Sequence, residues 1–258
     1  MKRETTGTWL LALALALTAT PQIAAADAVT DWDKIACDIV GTSKVPTPLG
    51  VRTIAITQTA VYEAVNRITR RFPGAGGGQP PGASVEAAIA AANRAALTAL
   101  VPDQIPAIEA VYLKAVDAVA DGDAKSAGIA IGERAATEIL AKRAEDGSSA
   151  AASYRPVTAV GVYVPTTISV GSQWPQRKPW LLTSAAQFRP GPPPALDSAV
   201  WARDYNEVKA LGARNGSSRS AEQTEIARFW EATKPSIYHG VVRAVADQIG
   251  RASCRERV

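Results

Sequence analysis

Histidine occurs once in this chain of 258 residues, at position 239, and cysteine twice, at positions 37 and 254. A metal centre assembled from several ligands at defined spacing has little to draw on, and so few thiols make no disulfide framework. Neither G-x-S-x-G nor H-E-x-x-H occurs, so a hydrolase nucleophile elbow and a zinc-protease helix both lack their residues. Long apolar runs are scarce too. The longest, residues 9–19, falls well short of the roughly 20 residues a membrane-crossing helix needs, and no stable membrane anchor is expected.

Charge of one sign is also lacking. The formal net charge is +4, and its excess sits at the two ends. Lys2 and Arg3 against Glu4 give +1, and Arg251, Arg255 and Arg257 against Glu256 give +2, which leaves +1 for residues 27–248. A nucleic-acid or polybasic-membrane partner needs a basic footprint that this stretch does not have.

Both ends are set apart for further reasons. A basic start, the apolar run and the small-residue stretch Ala24-Ala25-Ala26 before Asp27 form the pattern of a signal peptide over residues 1–26, so a secreted or periplasmic location is expected. Residues 249–258 have no apolar period and resemble the translation of a common sequencing adapter read through in frame. On that reading the natural sequence is interrupted near Gln248, and Cys254 drops out with the tail. Cys37 then remains among Ile35, Ala36, Ile39 and Val40, most simply a small buried hydrophobe.

Hydrophobic residues make up 47% of the chain but aromatics only 6%, so alanine carries much of the difference. Alanine is the best helix former and lets helices approach closely. The expected fold is all-α, a multi-helix bundle with a long Pro-rich irregular excursion. Apolar spacing and punctuation predict helices over 49–69, 84–100 with Ser84 as cap, 105–120, 124–144 behind Asp123, 198–210 behind Asp197, 221–233 with a Ser220–Gln223 capping box, and from 236 onward. Short breaks between them favour antiparallel neighbours. Residues 73–82 read as a flexible linker. Between residues 147 and 195 the pattern changes: eight prolines lie from Pro156 to Pro194, with Tyr154, Tyr163, Trp174, Trp180 and Phe188 among them. Proline breaks helices, so an irregular path pinned by aromatics is expected, with a β-like patch over 160–169.

Within that stretch the chain meets a known pattern. Gln173-Trp174-Pro175, Lys178-Pro179-Trp180 and Ser184-Ala185-Ala186-Gln187-Phe188-Arg189-Pro190, followed by Pro192-Pro193-Pro194, resemble the middle region of bacterial vanadium-dependent haloperoxidase-like proteins. Tyr205-Asn206-Glu207-Val208-Lys209, residues 217–225 and Phe229-Trp230 continue the likeness, and the helix holding Thr59 to Asn66 matches that family's opening helices. It covers most of residues 30–248 and extends to the type-2 phosphatidic acid phosphatase superfamily. The resemblance implies a helical enzyme that binds vanadate and oxidises halide with peroxide, or one that cleaves phosphate esters in the same pocket without metal.

The family signature comprises a Lys and an Arg-Pro separated by six residues, a Ser-Gly-His segment, and a final Arg followed by a His. Arginine and lysine surround the oxyanion; one His bonds the metal or attacks phosphorus, and a second acts as acid or base. One histidine cannot meet this. Arg155-Pro156 imitates part of the signature, but Ser148 stands where the Lys belongs and Ser-Gly-His is absent. No catalytic, cofactor-binding or metal residue is therefore assigned to this chain. Vanadate, halide and peroxide, or a phosphate ester, are expected of the intact parent and no cofactor of residues 27–248 themselves.

The other candidates read as ordinary structure. His239 is an exposed or hydrogen-bonded helix residue, and Trp201 and Trp230 are core anchors. Gly74 to Gly78 lacks the strand and the Gly-Lys-Ser/Thr of a phosphate loop, Asn215-Gly216-Ser217 is a formal glycosylation sequon, Glu109 and Asp117 are solvated, and Glu138–Lys142 is a surface pair. A second function class stays open: a non-catalytic exported helical protein binding a partner through its Pro-rich, aromatic segment. Bare apolar faces and self-association are expected.

Overall fold

A computed structural model describes residues 22–73, 82–231 and 236–255. Among the described residues the chain is helical, with no strand. Eight α-helices follow one another: α1 (Gln22–Thr42), α2 (Thr47–Thr69), α3 (Val85–Leu100), α4 (Ile105–Asp117), α5 (Asp123–Arg143), α6 (Ala199–Leu211), α7 (Ala221–Trp230) and α8 (Ser236–Arg255). None of them is long and apolar enough to cross a membrane. The expected signal segment lies outside the described residues up to position 21, as do most of the linker (74–81), the break at 232–235 and the last three residues.

Local signals place the helices well. Ser84 Oγ accepts from the Ala87 N–H, and the Ser220–Gln223 capping box forms with both of its hydrogen bonds. Ser198, not Asp197, caps α6: its Oγ accepts from the Trp201 N–H. Further boundaries differ, among them the end of α7, at Trp230 where residue 233 was expected. Helix α4 ends at Asp117, three residues early. Helix α8 continues to Arg255, past the position where the sequence changes character. Helix α1 is absent from the sequence reading altogether. Its period is legible in retrospect, because Trp32, Ala36, Ile39 and Val40 are all buried at helical spacing, but the alanine-rich entry reads as processing signal.

The described residues form two compact units: those within 1–44, 53–138 and 236–258 in one, those within 45–52 and 139–235 in the other. Helix α3 is the axis of the first unit. Seven consecutive residues, Ala87 to Asn93, are buried, with Ala96 and Leu97 beyond them. A helix enclosed all round must have partners on every side: α3 packs on α1 and on α4, and α1 packs on α8. Helix α5 also lies against it. A methyl group at Gly132 would lie 2.8 Å from the Ala92 nitrogen and 2.9 Å from the Ala91 Cβ, and one at Gly128 would overlap the Ser84 carbonyl. Two glycines one turn apart let α5 rest on the alanine surface of α3 backbone to backbone, and dispersion over many short contacts holds it there.

The second unit is built differently. From residue 147 to residue 231 no side chain is buried. The expected β-like patch does not form: residues 160–169 are turns and bends, with Gly161 at φ +77°. Proline 165 and the absence of a neighbouring strand leave that backbone nothing to pair with. Tyr163 and Phe188, expected to pin the path, are exposed, as is Trp230, expected in the core. Helices α6 and α7 bury no residue at all, and Val208, Phe229 and Trp230 remain uncovered on their apolar stripes.

Gly132→Ala should destabilise the first unit by about 3 kcal/mol or more, at the upper end of overpacking costs, because backbone rather than a mobile side chain blocks the methyl. Gly41→Ala in α1, where an added Cβ meets nothing within 4 Å, should be neutral or gain up to about 1 kcal/mol. Urea unfolding of both variants checks this; equal stabilities would refute the close approach.

Candidate functional site

Polar chemistry gathers in one place within each unit. In the first, α1 and α8 each present two residues one turn apart. The Asp33 carboxylate receives His239 Nδ1 on Oδ1 at 2.7 Å and an Arg243 guanidinium nitrogen on Oδ2 at 2.6 Å. Facing a carboxylate, Nδ1 carries the proton and donates. Cys37 lies one turn along α1, and its Sγ, an Asp33 oxygen and a His239 nitrogen all fall within 4.8 Å of one another. Asp33 and Cys37 are buried and His239 is partly so.

Burial pushes the Cys37 thiol up to about 11, and the Asp33 charge adds to that, while Arg243 draws it down. The sulfur is therefore a protonated thiol at neutral pH, poorly suited to act as a nucleophile. As expected, Cys37 is a small buried side chain and His239 is hydrogen-bonded within a helix. The sequence reading missed that they meet. His239 and Cys37 are 202 positions apart, and no spacing rule links them. The usable signal was composition: the only histidine and the only cysteine of residues 27–248 each sit on an amphipathic helix beside apolar neighbours.

In the second unit the polar centre is Asp146, just past the end of α5. Its side chain is fully enclosed and its Oδ2 accepts from Arg52 Nε at 2.9 Å and from Arg177 at 2.8 Å. Its Oδ1 accepts from the Ser148 N–H, and its main-chain carbonyl from the Lys178 N–H. Arg143 donates to the carbonyls of Lys178 and Pro179 and lies 3.6 Å from the centre of the Trp180 ring, while Arg177 stacks on Trp174 at 4.4 Å. These are the cation–π contacts that suit guanidinium. Trp174 and Trp180 thus do pin the irregular path, through arginine rather than through a core. Burial alone would raise the Asp146 carboxyl; the hydrogen bonds from Arg52, Arg177 and Ser148 outweigh it and hold the group far below the ordinary carboxylate range.

Three guanidiniums around one carboxylate are what an oxyanion pocket would begin from. Here they are committed: Arg52 and Arg177 to Asp146, Arg52 also to the Arg143 carbonyl, and Arg143 to Lys178 and Pro179. The one imidazole is engaged by Asp33. Arg155 is exposed and donates to the Tyr154 carbonyl.

Two carboxylates leave the roles expected of them. Glu109 is paired with Arg94 at 2.8 Å, not merely solvated. Glu138 is paired with Arg67 and Arg134 rather than with Lys142, since α2 brings Arg67 onto α5 and a largely buried guanidinium needs its carboxylate. The Arg67 hydrogen bond, followed by that from Arg134, lowers Glu138 to about 2.

Both depressed carboxylates set the same sign. Their folded values lie below the roughly 4 of an unfolded carboxylate, so the stabilisation is complete above about pH 4.5 and drains as pH falls through the folded values. Thermal melts should fall steeply between about pH 4 and pH 2, and less steeply in Glu138→Gln. Asp146→Asn should cost about 3 kcal/mol by stranding largely enclosed guanidiniums and should speed proteolysis within residues 147–197; an unchanged cleavage pattern would refute the anchoring role of Asp146. Compared with known proteins, the chain matches no family model, no curated protein and no solved structure.

Proposed function

We propose that residues 27–248 are the N-terminal helical part of an exported vanadium-dependent haloperoxidase-like protein, a scaffold whose oxyanion-binding residues are not among its own. The observation that carries this reading is the condition of residues 173–230. They hold the motifs that resemble the family, they are anchored at one end by the arginine and tryptophan contacts around Asp146, and they bury no side chain. Amphipathic helices with bare stripes are what a partly assembled helical domain presents. An acid phosphatase of the same superfamily would use the same scaffold and differ only in residues this chain lacks.

The exposed segment with Tyr154, Tyr163, Trp180 and Phe188 favours a second reading, a non-catalytic exported protein that docks a partner there. The gene itself separates the two. Reading the locus past codon 248 should show an in-frame continuation with Lys, then Arg-Pro, then Ser-Gly-His and a final Arg and His; a natural stop after codon 258 would sink the enzyme reading and leave the docking one.

Purified chain mixed with vanadate, peroxide and bromide should give no turnover above background, and sustained bromination would refute the absence of the catalytic set. In light scattering the bare faces should drive concentration-dependent self-association; a clean monomer at every concentration would count against them.

A further inference from the structure

The only histidine and the only cysteine of residues 27–248 converge on one buried aspartate, although 202 positions separate them. A structural ion pair between Asp33 and Arg243 would need neither of them. The set has three donor types that a borderline-soft divalent cation takes together: a sulfur, an imidazole nitrogen and a carboxylate oxygen. Bonds of about 2.0–2.3 Å to a tetrahedral ion place its ligand atoms roughly 3.3–3.8 Å apart, and these three already lie within 4.8 Å of one another.

We infer that Asp33, Cys37 and His239 form a zinc-type site clasping α1 to α8, with a fourth position left to water. Asp33 and Cys37, one turn apart, supply two ligands from one face of α1, and His239 supplies the third from α8. Asp33 has an oxygen to spare for the task. Its Oδ2 is held by Arg243, which orients the carboxylate as outer partners of metal ligands do. Its Oδ1 shares a proton with the imidazole across 2.7 Å, and the ion takes the place of that proton as the two atoms move apart by about 0.6 Å.

Binding breaks the Cys37 S–H bond and forms a metal–sulfur bond, and the thiol proton leaves to solvent; the His239 proton passes from Nδ1 to Nε2 by exchange with solvent, so the ring binds as a neutral imidazole, and no electron is transferred. Carboxylate, thiolate and dication then sum to zero beside Arg243, so the buried site carries less unbalanced charge than two anions would. Affinity should rise with pH because protons are released.

The test uses the untagged full chain carrying Cys254→Ser, so that Cys37 is the only thiol. Titration with Zn2+ by calorimetry should show one equivalent bound with proton release and a raised melting temperature. Co2+ in its place should give the intense near-ultraviolet thiolate-to-cobalt band and the visible bands of a tetrahedral site. Cys37→Ser should abolish the charge-transfer band, and His239→Gln should weaken binding by more than the roughly 10–100-fold that outer partners carry. Circular dichroism confirms that the variants fold. Absence of the thiolate band in the parent chain overturns the site whatever the variants do, and so does Zn2+ binding that both variants retain.

Discussion

The first unit depends on how closely two helices can lie. Helix α3 is alanine on almost every face, and α5 meets it with Gly128 and Gly132, so the two backbones touch where bulkier residues would hold them apart. Alanine contributes little apolar area per residue, and a core made of it must gain from the number and shortness of its contacts. That constraint propagates outward. With α5 seated, Arg67 of α2 reaches Glu138, and with α3 enclosed, Asn93 is buried and turns its amide onto the Ile89 carbonyl.

The second unit has no such core, and a single carboxylate takes its place. The Asp146 carboxylate collects Arg52 from α2, Arg177 from the Pro-rich stretch and the Ser148 amide, its main-chain carbonyl takes the Lys178 amide, and Trp180 and Trp174 lie over Arg143 and Arg177. A buried ion pair is weak evidence for stability in general, since desolvation offsets attraction. Its use here is geometric. It fixes the path of residues 173–180, and from 181 to 231 no side chain is buried.

Asp33 solves a related problem on the other unit. One carboxylate between α1 and α8 orders an arginine and an imidazole, and a buried thiol completes the group. The same side chains serve as an interhelical clasp with protons in place and, in the proposed site, as metal ligands once the thiol proton leaves and the imidazole proton moves to the other ring nitrogen.

Much of the helical framework is legible in the residues themselves, because caps and apolar periods act over a few positions: Ser84, the Ser220–Gln223 box and the prolines mark their boundaries unaided. The core assignments at Trp201 and Trp230 were another matter. An apolar stripe says that a face wants cover, not that cover is present, and Trp230 is exposed. The same limit hid the partners of Glu138 and the meeting of Cys37 with His239, since local spacing carries no information about residues on different helices. By itself the sequence determined an alanine-rich all-α chain, broken by a proline-rich excursion and lacking the histidines of an oxyanion enzyme. Only the tertiary structure decided which arginine each buried carboxylate holds and which faces stay bare, because those outcomes rest on long-range contacts whose strength depends on the exclusion of water.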